Sequence, residues 1–459
     1  MTISADFWRQ LSAKLQPEQL LRDPANCLSY SYDNGRHQAQ PSGVVLAETV
    51  EQVQHTLRCC HDYQVPVTAR GRGTGTPGGA TPVPGGLILS LERLTNIRDF
   101  NPANRSLRIE AGVLNQTVQD LAATKNLFWP PDPSSAAYCT IGGNIATNGG
   151  GPRAVKYGTT RDNVLAIRAV TGTGALIETG FTTAKASCGF DLGRLLIGSE
   201  GTLAIIVEAT LKLSPLQPSI ATLQVWFDSE NQAAHLVAEL LQSPVIPCAV
   251  EFMDSACLDL LRRHRSLAIP THANALLMIE IDGLTETLPE AVALINALCR
   301  QGGSLSIDSA LTTAARASLW LIRKTLSPTL RLAAAYKINE DVVVPINQLP
   351  ALLKYLKNLA TRYAFTMVNF GHLGSGNLHV NVLLNHLDAT IQLRVNQYLA
   401  ELFQGVLALG GCLSGEHGIG IDKQPYVAQA ICAQTLTLMK AVKAQFDPRH
   451  ILNPGKFFP

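Results

Sequence analysis

An α+β architecture in two or three domains is what the sequence predicts, and three observations predict it. The chain's 459 residues are too many for one ordinary core. Its first half mixes short apolar strands with helices and is dense in glycine turns. From about residue 219 to 365, helical segments alternate with apolar strands, the pattern of a separate domain of strands covered by helices. These shifts give domains at 1–215 and 216–410. The remaining segment, 411–459, is too short for a core of its own and is expected to pack back on the first domain.

The elements can be justified in order. "GVVLAET" (43–49) reads as a strand and runs into Thr49-x-x-Gln52, a capping box. Val50, Val53, Leu57 and Cys60 then recur on one helical face. "VPVTARG" (65–71) and "GGLILSLERL" (85–94) are further strands, and "RSLRIEAG" (105–112) alternates like a half-buried one. "VLAIRAVTGTGALIETG" (164–180) reads as two strands joined by a glycine turn, and "GTLAIIVEATLKLSP" (201–215) as a long strand ending at Pro215. "HANALLMIEID" (272–282) is a strand of the second domain, and "LPEAVALINALCRQGG" (288–303) an amphipathic helix stopped by Gly302 and Gly303.

Composition excludes several function classes. Apolar residues are 46% and charged residues 16%, as in a soluble globular chain. A net charge of +2 gives no basic footprint for nucleic acid. No run of 18 apolar residues spans a membrane, and "MTISADFWRQLSAKLQPEQ" carries no apolar secretion core. The ten cysteines form no C-x-x-C pair, so they read as reduced thiols of a cytoplasmic protein, with Cys59 and Cys60 as core packing.

Three stretches concentrate glycine: "ARGRGTGTPGGA" (69–80), "PPDPSSAAYCTIGGNIATNGGGPRAVKYGTTRDNV" (130–164) and "IGSEGTLAII" (197–206). Glycine lets successive N–H groups approach an anion, and a diphosphate is the natural guest. A single cluster is equally well explained as a turn. None fits G-x-G-x-x-G into a helix or carries a nucleotide-loop lysine, which argues against an ordinary Rossmann site.

In order and spacing these stretches resemble the FAD-binding domain of the vanillyl-alcohol oxidase type of flavoproteins. With "GHLGSGNLHVNV" (371–382), "GEHGIG" (415–420) and "NPGK" (453–456), nearly the whole chain is similar to the FAD-linked 2-hydroxyacid dehydrogenases: D-lactate dehydrogenase, D-2-hydroxyglutarate dehydrogenase and the D subunit of glycolate oxidase. The resemblance implies a two-subdomain FAD-binding domain and an α+β substrate domain whose antiparallel sheet is covered by helices. It implies FAD contacts from Arg70, Gly71, Arg72, Gly73, Thr74, Gly75, Thr76, Gly78 and Gly79. Further contacts come from Pro131, Ser134, Gly142, Gly143, Asn144, Thr147, Gly149, Gly201, Ile206 and Asn453. Members that tether FAD covalently often carry a histidine in the first loop; "GRGTGTPGG" has none, so the FAD is expected to be non-covalent.

His372 and His379 lie seven apart around "GSGN". On a straight strand they would face opposite sides, and on one helix they would stand about 10.5 Å apart. The insertion can fold the chain so that both imidazoles converge. With Glu416 as third ligand they make an open divalent-metal site, although two histidines at this spacing are more often unrelated. The resemblance assigns the same three ligands and implies zinc or manganese. Members commonly carry an acidic residue where this chain has Ser375, so the loop is less negative here.

His417 beside such a cation would stay neutral and could serve as general base. Asn381 shares a strand face with His379, and the matching asparagine in the family contacts substrate. Arg323 and Ser327 are four apart, one helical face, and an arginine can grip a carboxylate through two bonds. An isolated helical arginine is more often solvated. The family's carboxylate binders are an arginine, a hydroxyl four later and a lysine beyond, which carries over to Arg323, Ser327 and Lys337, the last with one residue fewer between.

The activity implied is oxidation of a D-2-hydroxy acid (D-lactate, D-2-hydroxyglutarate or glycolate) to the 2-oxo acid, with the flavin reoxidised by a quinone, an electron-transfer protein or a partner subunit. A second copy of the chain, or a partner that holds it peripherally at a membrane, is compatible with the sequence. A flavin-free metallohydrolase would leave the glycine clusters unexplained, and a degenerate flavin scaffold would leave the histidines idle.

Overall fold

The computed structural model describes residues 3–183, 185–265 and 267–459. The chain forms two compact units, one of residues 1–151, 158–216 and 416–459, the other of 152–157 and 217–415.

The first unit holds two sheets. One has four strands in the order Leu20–Leu21, Gly43–Leu46, Leu87–Ser90, Val67–Arg70, parallel except for its first pair. The helix Val50–Tyr63 leaves the second of these strands at Thr49, whose Oγ1 accepts the Gln52 N–H at 3.2 Å. The expected capping box is only half made. Gln52 Oε1 takes the N–H of Glu48 rather than that of Thr49, one residue off the reciprocal bond. Val53, Leu57 and Cys60 of this helix are buried with Val45, Val67, Leu87 and Leu89. Leu452 pairs with Val67, so the last residues extend this sheet's edge.

The other sheet of the unit is antiparallel, in the order Ile97–Asn101, Ser106–Glu110, Ala204–Lys212, Val164–Thr171, Leu176–Gly180. Its apolar face packs on the helices Asn115–Ala123 and Ile141–Thr147, with Trp129 at the centre. Along its polar face the buried Glu110 and Glu208 pair with Arg98, Arg108 and Arg168, which spares two carboxylates an uncompensated burial.

The second unit is one seven-stranded antiparallel sheet. Its order is Ser306–Ala310, Ser219–Phe227, Ala275–Gly283, Ala249–Met253, Thr366–Gly371, Asn377–Leu384, Tyr336–Val343. The helices Ser255–His264 and Thr313–Ala333 share a core with Trp226, Met253, Met278, Val368 and Phe370. The alternate strand residues Val225, Phe227, Leu277, Ile279 and Phe252 are also buried, so the sheet's opposite face is covered too. The helices Glu230–Gln242 and Leu288–Gln301 pack on the 219–227 and 275–283 strands. All ten cysteines are free thiols, and Cys59 and Cys60 are buried in the first core.

Candidate active site

In the first unit the glycine stretches meet one another. The loop 71–80 leaves the strand Val67–Arg70, and a Cβ on Gly71 would stand 2.3 Å from Thr140 Oγ1, the cap of the helix Ile141–Thr147. That oxygen accepts the Gly143 N–H at 3.2 Å, while the Gly142 N–H donates to the Ala111 carbonyl at 2.8 Å. The third stretch joins the same helix through N–H bonds from Gly198 to Ile145 (3.0 Å) and from Glu200 to Ala146 (2.8 Å). The Glu200 carboxylate, buried, accepts the N–H groups of Ile419 (2.6 Å) and Gly420 (2.8 Å). Burial raises its carboxyl above the ordinary range, and these two bonds pull the other way. Gly418, at φ +90°, leaves room for that carboxylate: a Cβ would come 2.8 Å from Oε1.

Side chains hold the first loop from behind. Lys456 Nζ donates to the Gly79 carbonyl (2.9 Å), to Asn453 Oδ1 (2.7 Å) and to the Thr81 carbonyl. Burial brings this ammonium down to about 7, against the raising influence of Asp33 and Glu200. Asn453 Nδ2 donates to the carbonyls of Glu200 (2.8 Å) and Gly79 (3.2 Å). Asp33 accepts the Gly35 N–H at 2.8 Å, and Arg70 Nη1 donates to the Tyr32 carbonyl at 2.7 Å. The Arg70 guanidinium is therefore spent on the protein, and its carbonyl accepts the Leu91 N–H at 2.9 Å. The loop's other side is open. A Cβ on Gly75 would meet nothing within 4 Å. A groove of about 290 Å³ lies there, lined by Arg72, Thr74, Leu114, Ala137 and Tyr138. A loop of N–H groups braced behind and open in front suits a diphosphate.

In the second unit one face of the strand Asn377–Leu384 is polar. Asn377, His379 and Asn381 alternate with Leu378, Val380 and Val382. Across the pair, Asp341 stands opposite His379 and Asn339 opposite Asn381. The turn Leu373–Ser375 ends at Gly376, φ +74°, where a Cβ would lie 2.1 Å from the Val344 carbonyl. Only glycine allows this bend, and it brings the His372 and His379 rings to 5.2 Å, nearly perpendicular at 87°. Asp341 accepts from Ser414 Oγ (3.0 Å) and from the Gly415 N–H (2.9 Å), and so fixes the peptide that leads into Glu416. One ligand atom each from His372, His379 and Glu416 lie within 4.8 Å of one another, a group that could hold a metal ion. Two imidazoles and one carboxylate suit a divalent transition metal with open positions.

His372 Nδ1 is hydrogen-bonded to Glu251, which leaves Nε2 as its ligand atom. The other Glu251 oxygen accepts from Arg323 Nε at 3.0 Å, and the Arg323 guanidinium lies 4.7 Å over the Phe370 ring. Burial opposes ionisation of Glu251, but the charges and hydrogen bonds of His372 and Arg323 outweigh it and bring the carboxyl to about 2.

The other expected residues fall as follows. Ser327 lies one turn beyond Arg323 on the helix Thr313–Ala333 and is exposed. Asn381 is fully buried, with Nδ2 on the Val368 carbonyl at 3.1 Å. Lys337 shares the face of Asn339 and Asp341 but stands opposite Leu383, about 13 Å along the strand from Asp341. His417, half-buried, belongs to the loop that Glu200 holds. In the second glycine stretch, the Pro131 carbonyl accepts from Asn115 Nδ2 at 3.0 Å and Thr147 Oγ1 donates to the Gly143 carbonyl at 3.2 Å. Sequence reading missed Glu200, Glu251, Asp341 and Lys456, each a charge buried to shape the site rather than to face a ligand. The available signal was a lone acid inside an apolar strand, as in "AVEFM" (249–253).

This fold and the converging glycine loops define an FAD-linked oxidoreductase of the vanillyl-alcohol oxidase type. The model of the FAD binding domain matches residues 41–180, and that of the FAD linked oxidases' C-terminal domain matches residues 216–457. The chain belongs to the FAD-linked oxidase family. It is 36% identical to the glycolate oxidase subunit GlcD of Bacillus subtilis, over 99% of this chain and 97% of that one. It is 35% identical to a D-lactate dehydrogenase of Anaerostipes hadrus, over 91% and 90% of the two chains. To a D-2-hydroxyglutarate dehydrogenase of Xanthomonas citri pv. viticola the identity is 35%, over 96% and 94%. Among solved structures, p-cresol methylhydroxylase with substrate bound shares the fold at a TM-score of 0.82 and 16% identity, over 99% and 97% of the chains.

Proposed function

We propose that the chain oxidises a small D-2-hydroxy acid, of the class of D-lactate, glycolate or D-2-hydroxyglutarate, to the 2-oxo acid, using FAD and a divalent metal. The observation that carries this reading is the group formed by His372, His379 and Glu416, whose ligand atoms lie within 4.8 Å of one another. When bound, FAD accepts the C2 hydrogen with its electron pair, and the metal acts as a Lewis acid that lowers the pKa of the substrate hydroxyl. Arg323 grips the substrate carboxylate, with Ser327 and Lys337 as further polar partners for longer substrates. Asn381 contributes an amide to the same face. His417, next in the chain to Glu416, takes the hydroxyl proton. Two electrons and one hydrogen leave on the flavin and one proton on the histidine, and an external acceptor (a quinone, an electron-transfer protein or a partner subunit) must then reoxidise the flavin.

Anaerobic mixing with a panel of D- and L-2-hydroxy acids tests this. We expect bleaching of the flavin by at least one D-acid or glycolate, lost on chelation and restored by zinc or manganese. Bleaching untouched by thorough metal removal would sink the metal's role, and no bleaching by any acid would sink the substrate class. A second reading, the flavin subunit of a multi-subunit glycolate oxidase, is favoured by the 36% identical relative that is named as a subunit. Turnover of the isolated chain with an artificial acceptor separates the two.

A further inference from the structure

Glu251 lies in the middle of an otherwise apolar strand, Ala249–Met253, and is 1% exposed. The fold itself does not call for an acid there. The helix Thr313–Ala333 is already seated on the sheet by Ile322, Leu326 and Leu330 against Met253, Met278 and Phe370. A buried carboxylate is costly unless fully paired, yet the two partners of Glu251 come from separate elements. Oε1 meets His372 Nδ1 in the turn after Gly371, and Oε2 meets Arg323 Nε on the helix at 3.0 Å.

We infer that Glu251 is a positioning residue that couples the metal ligand His372 to the carboxylate-binding Arg323, so that each ligand strengthens the binding of the other. The inference rests on the reading of the site proposed above and deepens it. Toward His372, Glu251 holds the proton on Nδ1, presents Nε2 to the ion and makes the imidazole a stronger donor. Toward Arg323 it occupies Nε, which turns the two terminal amino groups into the pair that a carboxylate takes. Phe370 braces the same assembly, with its ring 4.7 Å under the Arg323 guanidinium and 5.6 Å from the His379 ring. A filled metal site then favours the carboxylate, and by linkage the carboxylate favours the metal to the same degree.

Three measurements on the FAD-loaded full chain test this: zinc affinity by competition with a chromogenic chelator, binding of oxalate as an unreactive carboxylate read from the flavin spectrum, and oxalate binding repeated without zinc. Glu251→Gln should weaken zinc binding by about 10- to 100-fold and shrink the zinc-dependent gain in oxalate affinity. Arg323→Met, which leaves the strand untouched, should lower zinc affinity several-fold in the same direction. It keeps the test decisive where the glutamine variant fails to fold. Zinc affinity within twofold of wild type in a folded Glu251→Gln chain overturns the inference and leaves the proposed function standing. So does undiminished zinc affinity in Arg323→Met, should the glutamine variant not fold. Wild-type chain that binds no divalent metal overturns the metal reading itself, and this inference with it.

Discussion

Gly71 and Gly75 belong to one loop, but the same substitution should mean different things at them. A methyl on Gly71 meets Thr140 Oγ1 at 2.3 Å, so Gly71→Ala must shift the head of the next helix. The expected cost is about 1–3 kcal/mol of stability, read as a lower melting temperature of the apoprotein. A methyl on Gly75 meets no protein atom within 4 Å. Gly75→Ala should melt like wild type as apoprotein and yet bind FAD about tenfold more weakly, ~1.4 kcal/mol, by fluorescence titration. Unchanged FAD affinity there would mean that the loop's open side is not the diphosphate seat. His37 supports the same loop, its ring 3.0 Å from where a Gly78 Cβ would stand. Its hydrogen bond to Asp422, 2.8 Å, raises the imidazole above its ordinary value although burial pulls down. Burial opposes ionisation of Asp422 as well, but His37 and Arg36 prevail and hold that carboxyl low. The histidine's share of stability is complete below about pH 6.5 and fades as pH rises through the raised folded value. The aspartate's share is present above about pH 3.9 and is lost as pH falls through the depressed one. His37→Gln should therefore melt lower than wild type at pH 6 and match it at pH 9, the difference staying below about 1 kcal/mol because the pair is partly exposed. An equal deficit at both pH values would assign the effect to packing.

At the scale of elements, the strand Tyr336–Val343 does more than complete a sheet. Asp341 accepts from Ser414 Oγ and the Gly415 N–H, and those two bonds set where the chain approaches Glu416. Asp341→Ala should leave the strand content intact by circular dichroism and cost about 3 kcal/mol of stability. It should also reduce bound divalent metal; full metal occupancy would show that Glu416 finds its place unaided. The alternation in "NLHVNVLL" made one face of its strand legible beforehand, and the glycines around it announced a bend. The acids that hold this face were not legible. Glu251 lies 121 positions from His372, and no local pattern states which distant strands become neighbours. Lys337 marks the same limit, since the family spacing suggested it while only the register reveals its distance from Asp341.

At the scale of the whole molecule, the first unit is assembled from segments far apart in sequence. Val67 receives Leu452 as a neighbour, with its N–H on the Ile451 carbonyl and its carbonyl on the Asn453 N–H, both at 2.8 Å. Truncation after residue 450 strips these bonds together with Lys456. The expected result is a chain without FAD, with fast amide exchange in strands Gly43–Leu46, Val67–Arg70 and Leu87–Ser90 and slow exchange kept in the seven-stranded sheet. Retained flavin would show that the closing residues are dispensable. Among the described residues no helix is long and apolar enough to cross a membrane.

Lysine 456 reaches back 377 positions to the carbonyl of Gly79. At translation speeds of roughly 5–20 residues per second, the nascent loop emerges some tens of seconds before its brace exists. A nascent chain halted short of that lysine should therefore hold the dinucleotide less tightly than the released protein, a difference that flavin fluorescence of stalled and released chains would read.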